Sequence, residues 1–231
     1  MINYFSDIIF GGEFDFLDFV MYLGAIAFMI FCATPLHEYA HALIAVKLGD
    51  GTPRATGRLT IRPTAHIDPI GAIMLVLFGF GYARPVQVRM RNFKKPKRDM
   101  ALVALAGPVC NIIQAFLAMV LFNVFVLLSN STGINVISYF AIFCMYAASI
   151  NINLAVFNLI PIPPLDGSRL LTALLPAKYY YGLMKYERYI MIGLFVLLFT
   201  GILSTPLSLL SGLVFDGVMF IAGLPFRMFI G

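Results

Sequence analysis

His37-Glu38-Tyr39-Ala40-His41 sets two imidazoles at i and i+4 with a carboxylate beside the first, in a run from Phe19 to Val46 that carries no other charge. On a helix the two rings leave the same face one turn apart, which is the spacing a zinc ion takes from neighbouring ligands. Glu38 then stands where it can accept a proton from water. Histidine is rare here, 3 in 231 residues, and shuffling the composition would yield HExxH roughly once in two thousand sequences. Two histidines and a carboxylate are costly to bury in an apolar segment and usually mark a site. These residues point to zinc-dependent hydrolysis inside a membrane. Catalytic zinc takes three protein ligands and keeps one position open. Cys32, Cys110 and Cys144 lie in apolar stretches without CxxC pairing and read as structural thiols. The third ligand then comes either from His66 and Asp68 or from Asp166, in the segment Asn158-Leu159-Ile160-Pro161-Ile162-Pro163-Pro164-Leu165-Asp166-Gly167.

The elements that must carry these residues are apolar helices. The chain is 61% hydrophobic and 12% charged, against roughly 25% charged in a soluble domain. No charge occurs from Met100 to Leu165, a stretch long enough for two spans of about 20 residues each. The pattern predicts an all-α polytopic membrane protein with four to five transmembrane helices, at about Phe19–Val46, Met100–Leu128, Asn135–Ile160, Tyr189–Leu203 and Leu207–Leu224. The uncharged run Pro69–Ala83 is short for a span and reads as a re-entrant segment. Thr56–Arg62 and Val86–Met90 alternate polar and apolar residues and read as a small interfacial β element. Three prolines after Asn158 cannot continue a helix, and such irregular backbone belongs where it lines a cavity.

Charge distribution sets the expected orientation. The first eighteen residues hold Asp7, Glu13, Asp15 and Asp18 and no Lys or Arg, so no signal peptide is expected. Basic residues gather in Lys47–Arg98, densest from Arg84 to Arg98, and in Arg169–Arg188. The positive-inside rule puts both stretches, and with them the site, on the cytoplasmic side of a plasma membrane. The net charge of +5 belongs to headgroup-facing loops and carries no nucleic-acid reading.

HEYAH, Ala106-Gly107-Pro108-Val109-Cys110-Asn111 and NLIPIPPLDG (Asn158–Gly167), in that order, resemble the site-2 protease family of intramembrane zinc metalloproteases. The resemblance covers about Met29–Leu171, and Arg62–Gly71 is similar to the small bacterial members. It implies His37, His41 and Asp166 as ligands of one zinc ion, Glu38 as general base, and Asn158 and Asn111 as substrate-binding residues. It implies a single domain over 1–231, with a catalytic core of about 19–171, C-terminal membrane segments at about 186–231, and no appended PDZ or CBS module. The expected substrate is a single-pass or hairpin membrane protein, cut in or near its transmembrane segment during regulated intramembrane proteolysis, and a regulatory membrane partner fits the same scheme.

Plainer roles compete with these. The HEYAH side chains could tie spans together by hydrogen bonds. Asp166 could cap a helix over Ser168–Leu175. His66 and Asp68 favour an interfacial turn over catalysis, and Asn158 and Asn111 could bridge helices. A transporter or metal-ion permease would use the same buried polar groups; it needs no general base beside its ligands, so Glu38 discriminates. An inactive protease-like scaffold is disfavoured by the intact set His37, Glu38, His41 and Asp166.

Overall fold

The structure, a computed structural model, describes residues 15–78, 83–175, 182 and 185–227. The expectations for Asp7, Glu13, Lys178 and the end of the run 69–83 lie outside the described residues in whole or part. Asp15 opens the first helix by accepting Leu17 N–H at 2.8 Å and Asp18 N–H at 3.2 Å, satisfying donors that a helix start leaves free. Helix α1 runs Phe16–Phe28 and continues through a π turn, Met29–Ala33, into α2, Thr34–Lys47. Pro35 lacks an N–H and sits where the wide turn ends, so the ladder loses little by its presence.

Short helices α3 (Thr52–Ala55), α4 (Pro63–His66) and α5 (Pro69–Phe78) follow. Helix α6 (Pro96–Thr132) ends at Gly133, whose φ of +69° closes the turn by donating to Ser129 O at 2.9 Å. It returns as α7 (Val136–Asn158), then α8 (Asp166–Leu174), α9 (Glu187–Phe199) and α10 (Ser204–Gly223). Among the described residues four helical stretches are long and apolar enough to cross a membrane: Phe16–Lys47, Pro96–Thr132, Val136–Asn158 and Ser204–Phe226. Helix α9 has 13 residues, about 20 Å of rise, too short for a hydrocarbon core of about 30 Å. Pro206 lies in the first turn of α10, where no intrahelical N–H is needed.

Helix α6 is the centre of the bundle, packing on α2, α7, α8 and α10. Ala115 and Met119 of α6, Ala148 and Ile152 of α7, and Val218 and Ala222 of α10 form one core. Small residues at these crossings let the backbones approach, which is how helices associate without a hydrophobic drive from water. The opposite side of α6 leaves Val109, Ile113, Leu117 and Leu121 about half exposed, one per turn. In a membrane that stripe faces lipid.

The expected β element does not form among the described residues. In 56–62 the backbone is spent locally: Gly57 N–H goes to Arg54 O, Arg58 N–H to Pro53 O, and Gly57 takes a φ of +69°. The segment 83–89 is extended, and Val86 is buried while Pro85, Gln87 and Arg89 are exposed, as the alternation predicts. Its partners are not a strand. Val86 N–H donates to Glu38 Oε2 at 3.1 Å and Arg89 N–H to Asp50 Oδ2 at 2.7 Å. Period-two burial reports an apolar seat, here that of Val88 and Met90 against Phe93, Met100 and Val103, and says nothing of where the backbone bonds go. Arg84 N–H donates to His66 O at 2.8 Å, so the two ends of the segment containing α5 meet.

Candidate metal centre

Side chains from two elements distant in sequence converge on one point. His37 Nε2 and His41 Nε2, from α2, lie 3.1 Å apart. Asp166 Oδ2, from the first turn of α8, lies 3.2 Å from the first and 3.0 Å from the second. The histidine rings meet edge to face at 4.7 Å between centroids. Among the described residues this is the single group of three or more His, Cys, Asp or Glu that could hold a metal ion. His66, Asp68 and the three cysteines are outside it.

The chemistry of the donors decides what the point is for. His41 Nδ1 lies 2.7 Å from the carbonyl of Val103. A carbonyl only accepts, so Nδ1 carries the proton, and in neutral His41 the Nε2 lone pair faces inward. That lone pair meets a carboxylate oxygen and a second imidazole nitrogen, and such an apposition needs a cation between the acceptors. This is the outer-sphere arrangement that orients metal-binding histidines. His37 Nδ1 is buried and has no hydrogen-bond partner.

Two glycines make the space. A Cβ on Gly107 would stand 2.3 Å from His41 Nε2 and 2.5 Å from His37 Nε2. Any side chain there would occupy the place where the ligand atoms meet, so α6 presents bare backbone to them. A Cβ on Gly167 would stand 2.3 Å from Leu159 O and 2.4 Å from Ile160 O. Only glycine lets the residue after Asp166 lie against the end of α7. The donor set and the cradle therefore fit zinc, whose sites take His nitrogen and carboxylate oxygen with one position left open.

Asp166 does not cap α8: it is the first helical residue, Leu165 occupies the cap without a side-chain bond, and the carboxylate turns to the histidines. Its other oxygen, Oδ1, is 3.9 Å from Arg169 Nη1. Burial alone pushes this carboxyl up, but His41 and His37 outweigh it and hold it well below the usual carboxylate range. Glu38 is 9% exposed and accepts Val86 N–H through Oε2. Asn158 is the last residue of α7 and partly exposed. Asn111 is fully buried in α6, and its Nδ2 has no partner.

His66 is fully buried and donates from Nε2 to Thr60 O at 2.7 Å. Asp68 accepts Ile70 and Gly71 N–H at 3.0 and 3.2 Å, opening α5. Among the buried polar residues that went unread in the sequence are Asn151 and Asp50. Asn151 of α7 is 0% exposed with Oδ1 unpartnered, and an amide in an uncharged span was its only signal. Asp50 is 0% exposed; a carboxylate beside Gly49 at the end of α2 looked like ordinary turn chemistry.

Comparison with known proteins gives the family. The model of peptidase family M50 matches residues 123–201, a stretch that includes Asn158 and Asp166. The chain is 40% identical over 171 residues to "Putative zinc metalloprotease YwhC" of Bacillus subtilis (strain 168), covering 71% of this chain and 75% of that one. Two similarly named proteins are more distant. Rip2 of Mycolicibacterium smegmatis is 28% identical over 57% of this chain and 50% of its own length. MJ0611 of Methanocaldococcus jannaschii is 30% identical over 58% of this chain and 62% of its own. No solved structure gives a significant match.

Proposed function

Because this chain belongs to peptidase family M50, the site-2 protease family, and is thereby an intramembrane zinc metalloprotease, we propose that His37, His41 and Asp166 hold its zinc and Glu38 is its general base. The observation that carries the assignment is the meeting of two imidazole nitrogens and one carboxylate oxygen within 3.2 Å, with Gly107 leaving the space open. Zinc bound there supplies Lewis-acid polarisation of the scissile carbonyl and of the attacking water. The rest falls to the chain. Glu38 takes the water proton and gives it to the departing amine, a role open to a buried carboxylate held in place by Val86 N–H through Oε2. Asn158, partly exposed beside the irregular segment, binds the substrate backbone. Asn111 contributes its unpartnered Nδ2 to the same end once substrate or water reaches it.

The substrate is a single-pass or hairpin membrane protein. A helix hides its carbonyls in i→i−4 bonds, so the target must unwind locally before Glu38 and the zinc can act on it. The site faces the cytoplasm, a reading supported by the basic residues of 47–98. The segment containing α5 is re-entrant, supported by the Arg84–His66 bond that joins the chain on its two sides.

The test is zinc content and cleavage of the detergent-purified chain. Wild type should carry about one zinc, Asp166→Ala should lose it, and Glu38→Gln should keep it while cleavage falls roughly 10²- to 10⁴-fold. Zinc unaffected by Asp166→Ala would reassign the third ligand.

A further inference from the structure

Outside the metal centre the most completely satisfied buried charge is Asp50, three residues beyond the end of α2. Its side chain is 0% exposed. Oδ1 accepts from Thr52 N–H at 3.0 Å, Thr52 Oγ1 at 2.6 Å and Asn92 Nδ2 at 2.7 Å. Oδ2 accepts from Arg89 N–H at 2.7 Å. Hydrogen bonds to an ionised acceptor are about twice as strong as neutral ones, so this carboxylate binds two stretches of chain some forty residues apart in sequence.

Arg89 is the far end of the extended segment 83–89. At the near end Arg84 N–H is held by His66 O at 2.8 Å, and between them Val86 N–H is held by Glu38 Oε2 at 3.1 Å. The strap has no strand beside it to share its backbone bonds. It is carried over α2 by three anchors, of which the two carboxylates, Glu38 and Asp50, belong to α2 and to the turn leaving it. Val86 is only 2% exposed, so while the strap is seated its amide depends on Glu38 rather than on water for a partner. Val86 and Arg89 are three residue steps apart, at most about 10 Å of chain, too short a tether for one anchor to move without the other.

We propose that Asp50 is a positioning residue for the general base: by fixing Arg89 and Asn92 it holds the strap where Val86 N–H engages Glu38 Oε2, and so orients that carboxylate. The proposal rests on the reading of Glu38 as the base. Asp50 does not touch substrate or metal. Its effect on the reaction passes through the backbone of the strap, and the bond it controls is one that apolar packing of Val86 and Val88 alone would not direct.

Hydrogen exchange at single-amide resolution on the zinc-loaded, full-length chain in nanodiscs tests it, comparing wild type with Asp50→Asn, which keeps the shape and loses an acceptor. Exchange should quicken tenfold or more at both Arg89 and Val86, with zinc still at about one per chain. Quickening at Arg89 with Val86 unchanged would overturn the proposal, since Asp50 would then serve only its own turn. If Asp50→Asn does not fold, Asn92→Ala removes one donor from the cluster and should quicken the same two amides by a smaller factor; no change at Val86 again overturns it. The exchange readout needs no cleavage. Failure of the protease reading would appear separately, as wild-type chain without zinc.

Discussion

Asp166 and Asp50 are the same side chain in two buried settings, and the protein treats them oppositely. Asp50 is surrounded by donors: four hydrogen bonds reach its two oxygens. Asp166 Oδ2 faces two imidazole nitrogens, one of which has its proton committed to the carbonyl of Val103. A carboxylate saturated by N–H and O–H groups ties chain to chain. A carboxylate set against other lone pairs is a place for a cation. Burial alone separates neither from the other, and the partners' donor or acceptor sense does.

The contrast is broken most sharply by the same substitution at both places. Asp166→Asn should weaken zinc binding a hundredfold or more, measured by competition with a chelator, while Asp50→Asn leaves it within a few fold. Equal loss in both would mean that the two carboxylates are not distinct in role. Gly107→Ala comes next in size. Its Cβ would fall 2.3 Å from His41 Nε2, so the rings must separate, with an overpacking cost of about 1–3 kcal/mol and zinc content well below one per chain.

A smaller effect lies in acid. Burial pushes the Asp50 carboxyl up, but the bonds from Arg89, Thr52 and Asn92 outweigh it and hold it below the ordinary aspartate range. A depressed folded value stabilises the fold above the unfolded pKa of about 3.9. That contribution is lost as pH falls through the lower, folded value. The melting temperature of wild type should therefore exceed that of Asp50→Asn at pH 6, and the gap should close below about pH 4. A gap that widened in acid would contradict the hydrogen-bond account.

What could be read in the sequence was what is local. HEYAH needs only the i, i+4 geometry of one helix, and the spans need only hydropathy, so both were legible. Asp166 was legible as one of two sources because three prolines force a break at the end of α7 and leave a carboxylate on it. The strap was half legible. Its alternation forecast which side chains are buried, but its backbone partners, Glu38 and Asp50, lie 48 and 39 residues away, and no periodicity encodes that. Gly107 was visible as part of AGPVCN, whereas the reason for a glycine is the convergence of α2 and α6 on the same point.

X-ray absorption at the zinc edge of the purified, full-length chain tests the central claim most directly. The account predicts one zinc with nitrogen and oxygen neighbours near 2.0–2.1 Å, two of them imidazole, and no sulfur shell. A shell near 2.3 Å from cysteine sulfur, or an imidazole count that survives replacement of His37 and His41, would contradict it.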